Sequence, residues 1–195
     1  RLENIEQLFF IENKKTYITK EKYQTLLRHT VGEGDIIFSS FIAEEIRACI
    51  LPPLTTKAIV KADCFCIRPD EKVIDKKFLL YSLVSSNSYS QLVMNIHGAT
   101  RPRINTTQLK TLQILLPELE EQKEIVNRVE QLFAFADKLE ARYEKAKTML
   151  DKLPQSILAK AFRGELVPQD PSDEPASELL KRIKEEKEKI KKVKK

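Results

Sequence analysis

The sequence predicts an α+β domain followed by a long coiled-coil helix and a short helical tail. Three observations predict it. Up to Pro117, short apolar runs alternate with turn residues. Beyond Pro117, apolar residues recur at heptad spacing, with no Gly or Pro before Pro154. The last fifteen residues are almost all Lys, Arg and Glu.

The elements follow in order. Leu8-Phe9-Phe10-Ile11 is strand-like. Gly32-Glu33-Gly34-Asp35 is a turn, and Ile36-Ile37-Phe38-Ser39-Ser40 reads as a buried strand. Ala58-Ile59-Val60 and Cys64-Phe65-Cys66-Ile67 are further strands. Asp75 suits the N-cap of a helix carrying Phe78, Leu79, Tyr81, Leu83 and Val84. Ser85-Ser86-Asn87-Ser88 interrupts it, and a second short helix carries Tyr89, Leu92, Val93 and Ile96. Gly98 opens a loop. Leu112-Gln113-Ile114-Leu115-Leu116 closes the domain as a strand.

The helix after Pro117 carries Ile125, Val129, Leu132, Ala136, Leu139, Tyr143, Ala146, Leu150 and Leu153 as an a/d seam. At ~1.5 Å per residue the stretch is about 50 Å long. Glu118, Glu120 and Glu121 favour its positive end. Val126, Phe133 and Phe135 widen the apolar face in the first half only, which implies a second contact there. Pro154 should kink or interrupt the helix, and Gly164 should end it. The expected organisation is a domain over residues 1–117, a spacer helix over 118–163 kinked near 154, an extended linker over 164–176 and a basic helix or tail over 177–195.

The 195 residues, 42% hydrophobic, suffice for one domain and such an appendage. No apolar run approaches the ~20 residues of a membrane span. The start, Arg1-Leu2-Glu3-Asn4, lacks a methionine and a signal pattern, and reads as cut from a longer protein. Cys49, Cys64 and Cys66 are odd in number and lack disulfide or zinc spacing. They predict buried thiols in a cytoplasmic protein, with Cys64 and Cys66 on one strand face. The net charge of +5 is concentrated: residues 181–195 carry nine Lys/Arg and three Glu, so the other 180 residues net to −1. The basic character belongs to the tail and does not argue for a nucleic-acid-binding body.

Catalytic patterns are sparse. His29 and His97 have no nucleophile near them in sequence, and no phosphate-binding glycine loop is present. Leu51-Pro52-Pro53-Leu54 lacks the amide and the aromatic of an adenine methyltransferase motif. Asp70, Asp75 and Lys77 imitate a nuclease signature, which needs two carboxylates and a lysine converging on a metal. Asp75 also fits a helix N-cap, and a charged turn before a helix is the preferred reading. No metal site and no bound cofactor are expected. The loop His97-Gly98-Ala99-Thr100-Arg101-Pro102-Arg103-Ile104-Asn105 is more informative, because loop arginines reach guanine edges or grip phosphates.

At this point a family resemblance emerges. Ile104-Asn105-Thr106-Thr107-Gln108-Leu109-Lys110-Thr111-Leu112-Gln113-Ile114-Leu115-Leu116-Pro117 runs into Glu118-Leu119-Glu120-Glu121-Gln122-Lys123-Glu124-Ile125-Val126. With Gly34-Asp35-Ile36-Ile37, Gly98-Ala99-Thr100-Arg101 and Ala161-Phe162-Arg163-Gly164-Glu165-Leu166-Val167-Pro168-Gln169-Asp170, it resembles the C-terminal half of the specificity subunit of type I restriction–modification enzymes. The resemblance implies a non-catalytic target recognition domain that reads one half of a bipartite double-stranded DNA site. It implies a spacer helix paired with a second one, from the same subunit or from a homodimer. It implies methyltransferase partners and, through them, a restriction subunit, with S-adenosylmethionine, ATP and Mg on those partners. Arg101 and Arg103 are the first expected DNA contacts, then Lys14, Lys15, Tyr17, Ser39, Ser40 and Arg47. A coiled-coil assembly protein without specific DNA binding, and a nuclease fragment using Asp70, Asp75 and Lys77, are the competing classes.

Overall fold

The computed structural model describes residues 2–12, 16–94, 102–168, 170 and 172–193. The chain forms two compact units, Arg1–Phe133 and Ala134–Lys195. The first holds α1 (Lys20–Thr25), β1 (Thr30–Val31), β2 (Ile36–Ser39), β3 (Ala48–Ile50), β4 (Ala58–Ile59), β5 (Cys64–Ile67), α2 (Lys76–Val84), α3 (Ser86–Val93) and α4 (Thr106–Lys110). The helix α5 (Leu119–Phe162) begins in the first unit and ends in the second, which also holds α6 (Ala176–Val193). The α+β class and the long helix are as the sequence indicates. No helix among the described residues is long and apolar enough to cross a membrane.

The centre of the first unit is β2, flanked by β3 and β5 in an antiparallel sheet of order β3-β2-β5. Alternate residues of a strand face opposite sides, and here both sides are covered. Ile36 and Phe38 meet Ile42, Leu80, Leu83 and Leu92 on one face. Ile37 meets Ile5, Val31, Cys49 and Cys64 on the other. This explains why the sequence there is a continuous apolar run rather than an alternating one. Each such side chain stabilises the fold by about 1.5–3 kcal/mol relative to exposure. A separate two-stranded ribbon pairs β1 with β4.

The turn into β2 is built by Asp35. Its carboxylate accepts from the Gly32 N–H at 3.0 Å and from Arg68 Nε and Nη2 at 2.8 and 2.6 Å. Arg68 Nη2 also donates to the Thr30 carbonyl, which ties β1 to the end of β5. Gly34 sits at φ 81°, the left-handed region that favours glycine.

Asp75 caps α2, accepting from the Lys77 and Phe78 N–H groups. Ser85 ends α2 and caps α3: its N–H donates to the Ser82 carbonyl and its Oγ accepts from the Ser88 N–H. Ile96, expected on that helix, lies outside the described residues.

Two strand expectations are corrected. Leu8–Ile11 forms a tight turn with a single bridge, Ile5 to Phe10, because Leu8 adopts φ 72° and breaks the extended run. Leu112–Leu116 pairs with no strand among the described residues. A capping box of Asn105 and Gln108 nucleates α4 just before it. The Gln91 side chain then holds the Gln113 backbone through two 3.0 Å hydrogen bonds, in the place a neighbouring strand would take.

The helix α5 runs on through Pro154 without interruption. It ends in a Schellman turn: Gly164, at φ 71°, donates to the Ala161 carbonyl and Glu165 to that of Lys160.

Candidate nucleic-acid interface

Beyond Ser39, the end of β2 is a place where three chain segments meet. The Ser40 N–H donates to the Asp63 carbonyl, Ile104 donates to that of Ser40, and Ile42 to that of Pro102. A bridge joins Phe41 to Arg103. This stitching brings the loop holding Arg103 beside the β2–β3 connection, a pairing across sixty residues that local sequence does not reveal.

Cationic groups collect there. Arg103 Nη1 donates to Asp63 Oδ1 at 2.8 Å, while half of its side chain stays exposed. Lys61 Nζ lies 3.6 Å from the other oxygen of the same carboxylate. The Arg47 guanidinium sits 5.9 Å from the centre of the Phe41 ring, a cation–π contact that adds about 0.5–1 kcal/mol at an exposed site. Asp63 thus holds one nitrogen of the Arg103 guanidinium, and about half of that side chain stays open to solvent. The same β2–β3 connection also exposes Glu44 and Glu45, so the patch carries both signs. A mixed patch with oriented arginines suits reading base edges better than uniform gripping of phosphate.

The other expected contacts divide. Arg101, Lys14 and Lys15 lie outside the described residues. Tyr17 is 77% exposed and available at the surface. Ser39 and Ser40 are corrected as contacts because both are buried. Ser39 Oγ is used up locally, accepting from the Phe41 N–H and donating to its carbonyl. A strand that reads apolar on both faces should have warned that its last residues are interior as well.

Catalytic alternatives find no geometry. Asp75 is committed to capping α2, Lys77 Nζ pairs with Glu130, and Asp70 Oδ1 accepts from the Lys72 N–H. Among the described residues no group of three His, Cys, Asp or Glu side chains could hold a metal ion. His29 Nε2 accepts from Arg28 Nε, and His97 lies outside the described residues. Burial pushes the Cys49 and Cys66 thiols up to about 11 and raises Cys64 too, which favours the protonated thiol in all three at neutral pH.

The start of α5 supplies a residue that sequence reasoning missed. Gln122 is completely buried. Its Oε1 accepts from the Asp75 N–H at 2.7 Å, and its Nε2 donates to the carbonyls of Val73 and Pro117 at 3.1 and 2.8 Å. The available signal was its place three residues before Ile125, which continues the seam spacing backwards with a polar residue. Val126 is buried nearby, and Phe133 meets the Tyr81 ring edge-on at 6.0 Å. The extra apolar face in the first half of the helix is therefore partly spent on its own domain. Burial, and the Glu130 carboxylate, push the Tyr81 phenol up. Within the seam, Ile125 and Val129 are half-buried, whereas Leu132, Ala136, Leu139, Tyr143, Ala146, Leu150 and Leu153 are exposed.

The family described as the type I restriction modification DNA specificity domain matches residues 3–147. The specificity subunit of the type I restriction enzyme EcoDI of Escherichia coli is 36% identical over 183 residues, covering 84% of this chain and 39% of the relative. That of EcoBI, also of Escherichia coli, is 42% identical over 128 residues, covering 62% and 27%. The crystal structure of the HsdS subunit from Thermoanaerobacter tengcongensis is similar with a TM-score of 0.57 at 25% identity, over 75% of this chain and 37% of that one. The chain spans less than two-fifths of the length of these proteins.

Proposed function

The chain belongs to the type I restriction modification DNA specificity family, and from that premise we propose that it reads one half of a bipartite double-stranded DNA target and performs no chemistry itself. The observation that carries this reading is the Arg103 guanidinium, held outward by Asp63 beside Arg47 at the end of the sheet. An arginine with one edge fixed by a carboxylate presents its remaining donors in a set direction, as bidentate recognition of guanine requires. Arg101, outside the described residues, precedes Arg103 by two positions in the sequence.

On this reading the protein works in the cytoplasm and docks methyltransferase subunits, and through them a restriction subunit. S-adenosylmethionine, ATP and Mg serve those partners, and a second spacer helix covers the exposed seam. Selection from a random duplex library by the assembled complex tests the reading, with an interrupted consensus as the expected result. Arg103→Ala should relax the consensus at one position and cost about 1–3 kcal/mol there. Unchanged selection after Arg103→Glu removes this loop from the interface.

The exposed seam from Leu132 to Leu153 favours a second reading, a coiled-coil assembly protein whose α+β domain binds protein. It predicts partner binding without retention of any duplex.

A further inference from the structure

Four residues of α5, Gln122, Val126, Glu130 and Phe133, form a stripe along its first four turns. Val126 is buried, and the other three meet the segment around α2. Gln122 binds the backbone at Val73 and Asp75, Glu130 pairs with Lys77, and Phe133 packs on Tyr81. The contacts advance in the same direction along both helices, so the two starts lie side by side.

Gln122 has the most exacting place in the stripe. The N-cap N–H of a helix is often satisfied by a Glu or Gln at the third helical position. In α2 that position is Phe78, which offers no acceptor. Gln122 supplies one from forty-seven residues away. Its two amide protons go to Val73 and to Pro117 just before α5. One buried acceptor and two buried donors are needed together, and only an amide of this length provides them. A glutamate lacks the donors, a methionine has no donor and only a weakly accepting sulfur, and an asparagine is too short.

The stripe also fixes a direction. The seam residues Ile125, Val129 and Leu132 are each one position away from a stripe residue, roughly 100° around the helix. Anchoring the stripe therefore sets which way the seam faces relative to the patch around Arg103. We propose that Gln122 is a positioning residue that locks the rotation of the recognition domain about α5, and through it the gap between half-sites that the protein accepts. This rests on the DNA-reading function proposed above.

The test uses the assembled complex and duplexes that keep both half-sites while the gap is changed by one base pair, a turn of roughly 34–36°. The parent should prefer one gap at least ~10-fold. Gln122→Met should narrow that preference to less than ~3-fold while binding to the best gap falls by less than ~3-fold. A preference still near ~10-fold overturns the proposal, and so does an equal loss at every gap, which a purely structural residue would give. If Gln122→Met does not fold, the double substitution Glu130→Gln and Phe133→Ala releases the far end of the stripe and must show the same narrowing. A parent with no duplex preference refutes the proposed function instead. Exchange of the Asp75 amide, expected at least ~10-fold faster in Gln122→Met, then still reports whether the lock exists.

Discussion

Replacing Asp35 should unfasten the turn into the central strand, and the size of the effect follows from its partners. The carboxylate is largely enclosed, whereas Arg68 is mostly exposed. A hydrogen bond from the Gly32 N–H to a charged acceptor contributes about 1.5–3 kcal/mol. The pair with Arg68, discounted for solvent on the arginine side, adds about 0.2–1 kcal/mol. Asp35→Ala should therefore cost about 2–4 kcal/mol at neutral pH, and Asp35→Asn about 1 kcal/mol, because the amide oxygen still accepts from Gly32. Hydrogen bonds from Arg68 hold the Asp35 carboxyl below its ordinary value of 3.8. A folded pKa below the unfolded one means that the contribution is complete above that ordinary value. It drains away as pH falls through the lower, folded one. Urea unfolding of parent and variant between pH 7 and pH 3 checks this. The stability difference should be largest near neutrality and shrink on acidification. A difference under about 0.5 kcal/mol at neutral pH, or one that does not change with pH, refutes the reasoning.

Three further outcomes are expected. Asp63→Ala removes the carboxylate that orients Arg103, so duplex affinity at low salt should rise or hold while discrimination at one base position falls; competition binding at two salt concentrations reads both. Leu139→Glu, at an exposed seam position, should weaken association through α5 by about 10-fold or more per helix while leaving unfolding of the first unit unchanged, as seen by sedimentation and by denaturant titration. Cys49 and Cys64 should resist a thiol reagent at pH 8 until the chain is unfolded, given their burial and, for Cys49, a pKa of about 11. Labelling at the rate of a free thiol would contradict the core described above.

The parts of the fold that were legible in the sequence are those governed by local chemistry. A run such as Ile36–Ser39 announces a buried strand, Asp75 announces a helix start, the serines from Ser85 announce a break, and Gly164 announces a stop. The parts that were not legible depend on distant partners. Leu112–Leu116 has the composition of a strand but meets a glutamine side chain instead of a backbone. Ser39 and Ser40 are polar by type, yet the stitching of Ile104 and Asp63 around them places them inside. Arg103 was legible as a candidate from its loop, but the carboxylate that pairs with it lies forty residues earlier. Gln122 sits among charged surface residues and differs from them only through its register.

The hold of Gln91 on Gln113 has a consequence for how the chain behaves in a crowded solution. An unpaired extended run containing Ile114, Leu115 and Leu116, with Leu115 89% exposed, is the kind of edge on which another chain can add a strand and begin to aggregate. Gln91 occupies both hydrogen-bonding groups of Gln113. Pro117 has no N–H to offer at the far end. Between them one side chain and one proline shorten the stretch of free backbone on which another strand could be templated.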